Sequence, residues 1–238
     1  MLKVRDLSFD YGGGEAVLDA LSLEVSDGEV VSLLGPSGCG KSTVLRIIAE
    51  LLPAGHGDVI WQSAPELAFV FQDPALMPWA TLAENVQLPR RLKGEIDKDA
   101  VQEALAAVGL SDMGTRFPAQ LSGGQRMRAS VARALAADPK VLLMDEPFAA
   151  LDEILRFQMN ELLLDLRKQR GLSILFVTHS LYEAAYLSDR VLVMDQGQIQ
   201  GEVTPNLDRG LSAPDQRASV AFSSAVAGIS RLMAGAGP

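Results

Sequence analysis

The chain has 238 residues, 48% hydrophobic, 21% charged and 5% aromatic, the balance of a globular protein and not of a disordered or fibrous one. Its 21 Lys and Arg face 30 Asp and Glu, a formal charge of -9, so no overall field gathers nucleic acid or anionic lipid, while local phosphate binding stays open. Apolar runs such as 141–144 and 174–177 fall far short of the roughly 20 residues that span a bilayer.

Residues 2–29 alternate apolar and polar in short pieces broken by Gly12-Gly13-Gly14 and Asp27-Gly28, which predicts antiparallel strands joined by turns. Residues 30–34 are apolar almost throughout, as in a parallel strand covered on both faces, and a glycine-rich turn followed by a helix over 41–52 completes a strand-loop-helix unit. Two later apolar runs, 141–144 and 173–178, repeat the pattern, with a helix over 154–170 before the second. Between Gln72 and Asp138 apolar positions recur at helical spacing (Val101, Leu105, Val108) and no strand is expected. The expected fold is therefore α/β: a nucleotide-binding core with a mostly parallel sheet, an N-terminal antiparallel lobe and a helical subdomain at 73–137, all within residues 1–204. Asp195-Gln196-Gly197-Gln198 reads as a turn between two short strands, and the tail 205–238 is too short for a further domain. Charged Lys3, Arg5 and Asp6 stand where a secretory signal would carry its apolar region, and a lone cysteine, Cys39, cannot form an internal disulfide. A chain without a signal peptide, in a reducing cytoplasm, is the expectation.

Three stretches carry chemistry. Gly35-Pro36-Ser37-Gly38-Cys39-Gly40-Lys41-Ser42 fits the pattern in which backbone N–H groups wrap phosphates, the lysine meets the terminal phosphates and the hydroxyl binds magnesium. Chance would produce it in roughly one chain of this length in a hundred. Its place between a buried strand and a helix start, whose dipole favours anions, adds to the case. Cys39 reads as a small residue at a variable loop position, where a bulky thiol reagent should obstruct phosphate. The run 141–144 ends in Asp145 and Glu146. Since ligands in open parallel sheets bind beyond the carboxyl ends of strands, both acids should share an edge with the loop, one holding magnesium and the other reaching an attacking water. His179 ends a third strand at that edge. Leu121-Ser122-Gly123-Gly124-Gln125 opens a helix. A capping box explains Ser122 and Gln125, but not two glycines, which are best justified by close approach of a ligand to bare N–H groups.

Together these residues resemble the ATP-binding subunit of the ABC transporter family, over about residues 2–203, with the LSGGQ run giving the resemblance its specificity. It implies ATP between Gly35, Pro36, Ser37, Gly38, Cys39, Gly40, Lys41, Ser42 and Thr43 of one copy and Ser122, Gly123, Gly124 and Gln125 of another, paired head to tail. It implies further that Tyr11 stacks on adenine, that Ser42, Gln72 and Asp145 serve magnesium, that Glu146 is the general base, and that His179 senses the γ-phosphate, with Lys41 and Gln72 also in the catalytic set. Ala149-Ala150-Leu151-Asp152 aligns with the loop between copies, where Ser or Gly usually stands at Ala149. The run from Phe71 to Val86, including Met77-Pro78-Trp79, resembles the import branch handling nitrate, sulfonates and taurine. The implied partners are a membrane permease and, indirectly, an extracytoplasmic solute-binding protein, with no nucleic acid, and the implied place is the cytoplasmic face of the membrane. Met77, Pro78 and Trp79 are read as buried core or as an apolar contact for the permease, and 57–71 looks short for that branch, as if the lobe lacked a turn. A soluble relative acting on DNA or ribosomes would ordinarily carry tandem domains or an inserted coiled coil, which are absent. A catalytically silent binding module is opposed by Lys41, Gln72, Glu146 and His179. Arg90-Arg91-Leu92-Lys93 reads as a solvated helix surface.

Overall fold

A computed structural model describes residues 1–64, 66–149 and 151–235. In chain order the strands and helices are β1 (Leu2–Asp10), β2 (Ala16–Val25), β3 (Val30–Leu34), α1 (Lys41–Ile48), β4 (His56–Trp61) and β5 (Leu67–Val70), then α2 (Leu82–Leu92), α3 (Lys98–Ala107) and α4 (Gly123–Ala136). Next come β6 (Val141–Asp145), α5 (Glu153–Arg170), β7 (Ser173–Thr178), α6 (Leu181–Leu187), β8 (Arg190–Asp195), β9 (Gln198–Val203), α7 (Ala213–Ala218) and α8 (Val220–Gly235).

Two sheets share the work. The antiparallel lobe has the order β2-β1-β4, and the main sheet the order β5-β6-β7-β3-β8-β9, parallel except for the hairpin strand β9. Every residue of β3 and β7 is buried, which is why these strands are apolar apart from Ser32, Ser173 and Thr178 and do not alternate. The lobe alternates instead, with Leu2, Val4 and Leu7 of β1 turned inward against Leu21 and Leu23 of β2. After β4 the chain passes straight into the main sheet at β5, so the short segment 57–71 leaves the lobe with three strands. Gln196 and Gly197, both at positive φ, make the two-residue turn between β8 and β9, where such a turn matches strand twist.

Register within the main sheet fixes where the chemistry-bearing residues emerge. Val70 pairs with Met144, Asp145 with Val177, and Thr178 with Leu34. The carboxyl ends of four adjacent parallel strands therefore finish at one level, and the next residues of each emerge along a single edge.

One expectation about elements changes. The first helix stops at Ile48, not at 52: Glu50 is left-handed, and the Leu51 and Glu50 N–H groups donate back to the Arg46 and Ile47 carbonyls, a Schellman ending that overrides the apolar pull of Leu51 and Leu52. The tail is ordered structure docked on the core. Phe222, Ala225 and Ile229 of α8 are buried with the sheet and α6, and Gly201 of β9 makes room for Leu232, whose side chain would lie 3.0 Å from an added Cβ. Arg209 donates to the carbonyls of Tyr186 and Ser188 and fastens the connection. Residues 82–136 supply three helices packed together, with α4 also against β5. Among the described residues no helix is long and apolar enough to cross a membrane.

Candidate active site

The loop from β3 to α1 is shaped by glycines. A Cβ on Gly35 would sit 2.0 Å from the Met194 carbonyl oxygen, and Gly38 and Gly40 hold φ of +84° and +101°, values open to few other residues. Gly40 caps α1 with no side-chain acceptor, so the first N–H groups of the helix are left for an anion. Lys41 is 6% exposed, and its Nζ donates to the carbonyls of Gly35 (2.8 Å) and Pro36 (2.7 Å). A positive charge is thus held inside the cradle by the cradle's own backbone. Ser42 donates to Asp145 Oδ1 at 2.7 Å. The Tyr11 and Thr43 hydroxyls are 3.1 Å apart, and the Tyr11 ring, 59% exposed, stands edge-on to Phe9. Beside the loop opens a cleft of about 820 Å³ lined by Tyr11, Val17, residues 36–39 and the hairpin residues Asp195, Gln196 and Gly197. Val17 and the hairpin join the site without any motif to announce them. The turn at 195–198 is legible in the chain, but its docking on the loop, through the Gly197 N–H to the Cys39 carbonyl, is a tertiary fact.

Cys39 itself is buried, and burial raises its thiol pKa against the opposing pull of Lys41. Burial makes the thiol slow to react, while Cys39 still borders the cleft, where an attached bulky group would stand beside the loop.

At the acidic strand end, Asp145 is 3% exposed. Desolvation raises its carboxyl pKa, opposed by the Ser42 hydroxyl and by the charges of Arg46 and Lys41. Glu146 departs from the strand: its φ is +46° and its N–H donates to the Val177 carbonyl. Its Oε2 accepts from Gln72 Nε2 at 3.3 Å and lies 3.4 Å from His179 Nδ1. Gln72, Glu146 and His179, 74 and 33 residues apart in sequence, meet because their strands end in register.

The Ser122 run is placed apart from this cluster. The capping box is present, Ser122 Oγ accepting from the Gln125 N–H and Gln125 Oε1 from the Ser122 N–H. Among the described residues no hydrogen bond joins Ser122, Gly123, Gly124 or Gln125 to residues 35–43. Gly124 needs no ligand to explain it, since a Cβ there would lie 2.8 Å from Leu155 and 3.2 Å from Leu151. Gly123 is the glycine left open to close approach of a ligand, since its added Cβ would meet only Arg126 at 4.0 Å. Further along the chain, Asp152 caps α5, and Arg156 donates to the carbonyls of Phe148 and Leu151; Ala149 is exposed, and Ala150 lies outside the described residues.

Residues 18–149 match the family described as ABC transporter, and that span takes in the cradle, the capped glycine helix and the acidic strand end. The chain belongs to the ABC transporter family. Membership makes it an ATP-binding subunit with ATPase activity. It is 46% identical over 204 residues to the aliphatic sulfonates import ATP-binding protein SsuB 1 of Pseudomonas syringae pv. syringae, covering 86% of this chain and 84% of that protein. It is 42% identical over 219 residues to the sulfate/thiosulfate import ATP-binding protein CysA of Halalkalibacterium halodurans, covering 85% of this chain and 61% of that one. Its fold is similar to the dimeric post-hydrolysis state of the ATP-binding cassette MJ0796 bound to ADP and Pi, with a TM-score of 0.80 and 32% identity over 86% of this chain and 98% of that one. The ABC fold read from the sequence, with its parallel core and antiparallel lobe, is the fold observed.

Proposed function

We propose that this ABC ATPase drives import of a small sulfonate-type oxoanion through a separate membrane permease, working as a head-to-tail pair at the cytoplasmic face. An extracytoplasmic solute-binding protein would deliver the solute. Residues 1–204 are taken as the working unit, with 73–137 as its helical subdomain and 205–238 as a tail without a domain of its own. The single observation carrying the mechanism is that the lysine cradle, Gln72, the two acids and His179 occupy one sheet edge while, among the described residues, no hydrogen bond ties Ser122 or Gly123 to the cradle. Each copy then holds half of two sites, and a second copy supplies the bare helix terminus that closes on the phosphates.

In this reading Tyr11 and Val17 border the base, the N–H groups of residues 35–43 surround the phosphates, and Lys41 exchanges its carbonyl partners for phosphate oxygens. Ser42 and Asp145 offer hard oxygen donors already 2.7 Å apart, and Gln72 keeps its amide oxygen free, since its nitrogen is turned to Glu146. That set, with its one carboxylate, fits magnesium, which is usually held through one or two carboxylates and relies on phosphate and water for much of the rest; when bound, the ion would neutralise charge on the transferring phosphoryl group. No cluster of three or more His, Cys, Asp or Glu side chains suited to a metal occurs among the described residues. Glu146 orients the attacking water and accepts its proton, and His179, beside the same carboxylate, contacts the γ-phosphate and registers its loss.

Permease docking draws support from the segment before α2. Asn85, fully buried, accepts from the Met77 N–H and donates to the Met77 and Ala80 carbonyls. The clamp leaves Trp79 77% exposed, a large apolar side chain at the head of a fixed turn. The deciding experiment is Glu146→Gln with magnesium and ATP, monitored by sedimentation and turnover. The expected result is an ATP-held dimer whose turnover falls by roughly 100-fold or more; a solitary chain, or hydrolysis at the normal rate, overturns the assignment. For the solute, alkanesulfonate-loaded binding protein should stimulate ATPase in permease-bearing vesicles, and stimulation by nitrate alone would reassign it.

A further inference from the structure

Buried polar atoms without a hydrogen-bond partner are costly, and three of them line one cavity: Asn160 Oδ1, Glu183 Oε1 and Arg217 Nη1, among the described residues. The cavity, about 170 Å³, lies between α5 and α6 and is closed by Arg217 of α7 and Phe222 of α8. It shares no residue with the nucleotide cleft. Asn160 and Glu183 are 2% and 5% exposed. Arg217 is held by its guanidinium stacking on Phe157 (4.4 Å) and Tyr186 (5.5 Å); its Nη1 stands 3.8 Å from Glu161, beyond hydrogen-bond reach, so a donor is left over.

The lining specifies an occupant. Among the lining residues Glu153 and Glu183 are matched in number by Arg156 and Arg217, Arg217 also ion-pairing with Glu161, and the site offers acceptors without a partner together with a donor that makes no hydrogen bond. Phe157, Tyr182, Tyr186 and Phe222 form apolar walls between these ends. Water alone would meet the polar atoms but wet the rings poorly. A molecule with about six non-hydrogen atoms fits a space that would otherwise hold several waters of roughly 30 Å³ each. We propose that this cavity binds a small zwitterion, its ammonium on Glu183 Oε1 and Asn160 Oδ1, its carboxylate or sulfonate on Arg217 Nη1, and its methylene chain between the rings. Desolvation raises the Glu183 carboxyl pKa, and an ammonium partner would relieve that cost.

Glu183 also links the cavity to the hydrolysis edge. Its other oxygen, Oε2, accepts from the Thr178 hydroxyl, which in turn accepts from the Ser180 N–H, so the two residues flanking His179 hang from this carboxylate. Occupancy would therefore alter turnover. That consequence rests on the hydrolysis assigned to His179 and Glu146, whereas binding does not, and the two are measured separately.

The test uses the full chain, ¹⁵N-labelled and without nucleotide, titrated with β-alanine and with 2-aminoethanesulfonate. The Asn160 side-chain amide should shift with a dissociation constant on the order of 1 mM or tighter, and ethylammonium or propionate alone should bind at least about tenfold more weakly. Asn160→Leu and Arg217→Gln should each weaken the zwitterion at least about tenfold. Should Arg217→Gln loosen the tail, Asn160→Leu, checked by its melting temperature, carries the test alone. No shift, shifts confined to other residues, or undiminished binding by Asn160→Leu overturns the site and leaves the cavity to water. In the second arm the zwitterion should change wild-type kcat and leave that of Asn160→Leu untouched; an unaltered wild-type kcat overturns the coupling.

Discussion

Asp145 and Glu146 are neighbours in sequence with opposite conformations, and the difference has measurable consequences. Asp145 finishes the strand and is buried with a raised pKa, so the folded chain holds that proton more tightly than the unfolded chain does. Its contribution is fully present below the unfolded value of 3.8 and is lost as pH rises through the folded value. Asp145→Asn keeps an oxygen for Ser42 and cannot ionise. It should melt higher than wild type at pH 7, with the gain shrinking as pH falls toward 3.8. A scan of melting temperature against pH checks this; an equal gain at every pH would place the effect elsewhere. Lys41→Ala should lower ATPase by at least about 100-fold, read as steady-state turnover beside a nucleotide-binding titration. Glu146 takes the left-handed backbone that lets its carboxylate meet Gln72 and His179. The identities of the cradle and acid residues are legible because their spacing is chemical. The φ of Glu146 and the contact of Gly124 with Leu155 are not, because both depend on elements distant in sequence.

Elements show the same division. The apolar runs of β3, β6 and β7 are legible because a parallel strand must be hydrophobic on both faces, and the helices of 73–137 because their period is helical. The end of α1 misleads a reader of the sequence since Leu51 and Leu52 extend the apolar pattern, whereas the backbone of Glu50 terminates the helix. The tail is hard to read for a related reason: Ala, Ser and Gly give weak patterning, and α8 derives its stability from packing on β9 and α6. Ile229 is fully buried there. Ile229→Ala should destabilise by about 2–4 kcal/mol, seen in urea unfolding as a lower midpoint at an unchanged slope. A change under roughly 0.5 kcal/mol would mean that α8 is not part of the cooperative unit.

For the whole molecule the decisive quantity is charge. Each copy carries a formal -9, and pairing brings two such bodies together with nucleotide adding more negative charge. Local cradles must overcome a general repulsion that ions screen over about 10 Å at 0.1 M salt. Dimerisation of Glu146→Gln with ATP should therefore strengthen as salt rises from about 20 to about 150 mM, measured by sedimentation equilibrium; weakening over that range would mean that attractive pairs across the interface dominate.

Gln72 and His179 both rest on the same oxygen of Glu146. If Glu146 is the base proposed above, Oε2, engaged from two sides, is the weaker of its two oxygens as an acceptor for a water's proton, and a lone copy would turn over slowly until Gln72 or His179 moves. On that reading a cell could keep a surplus of unassembled copies without burning fuel, with hydrolysis starting where a second copy reshapes the contacts of Glu146.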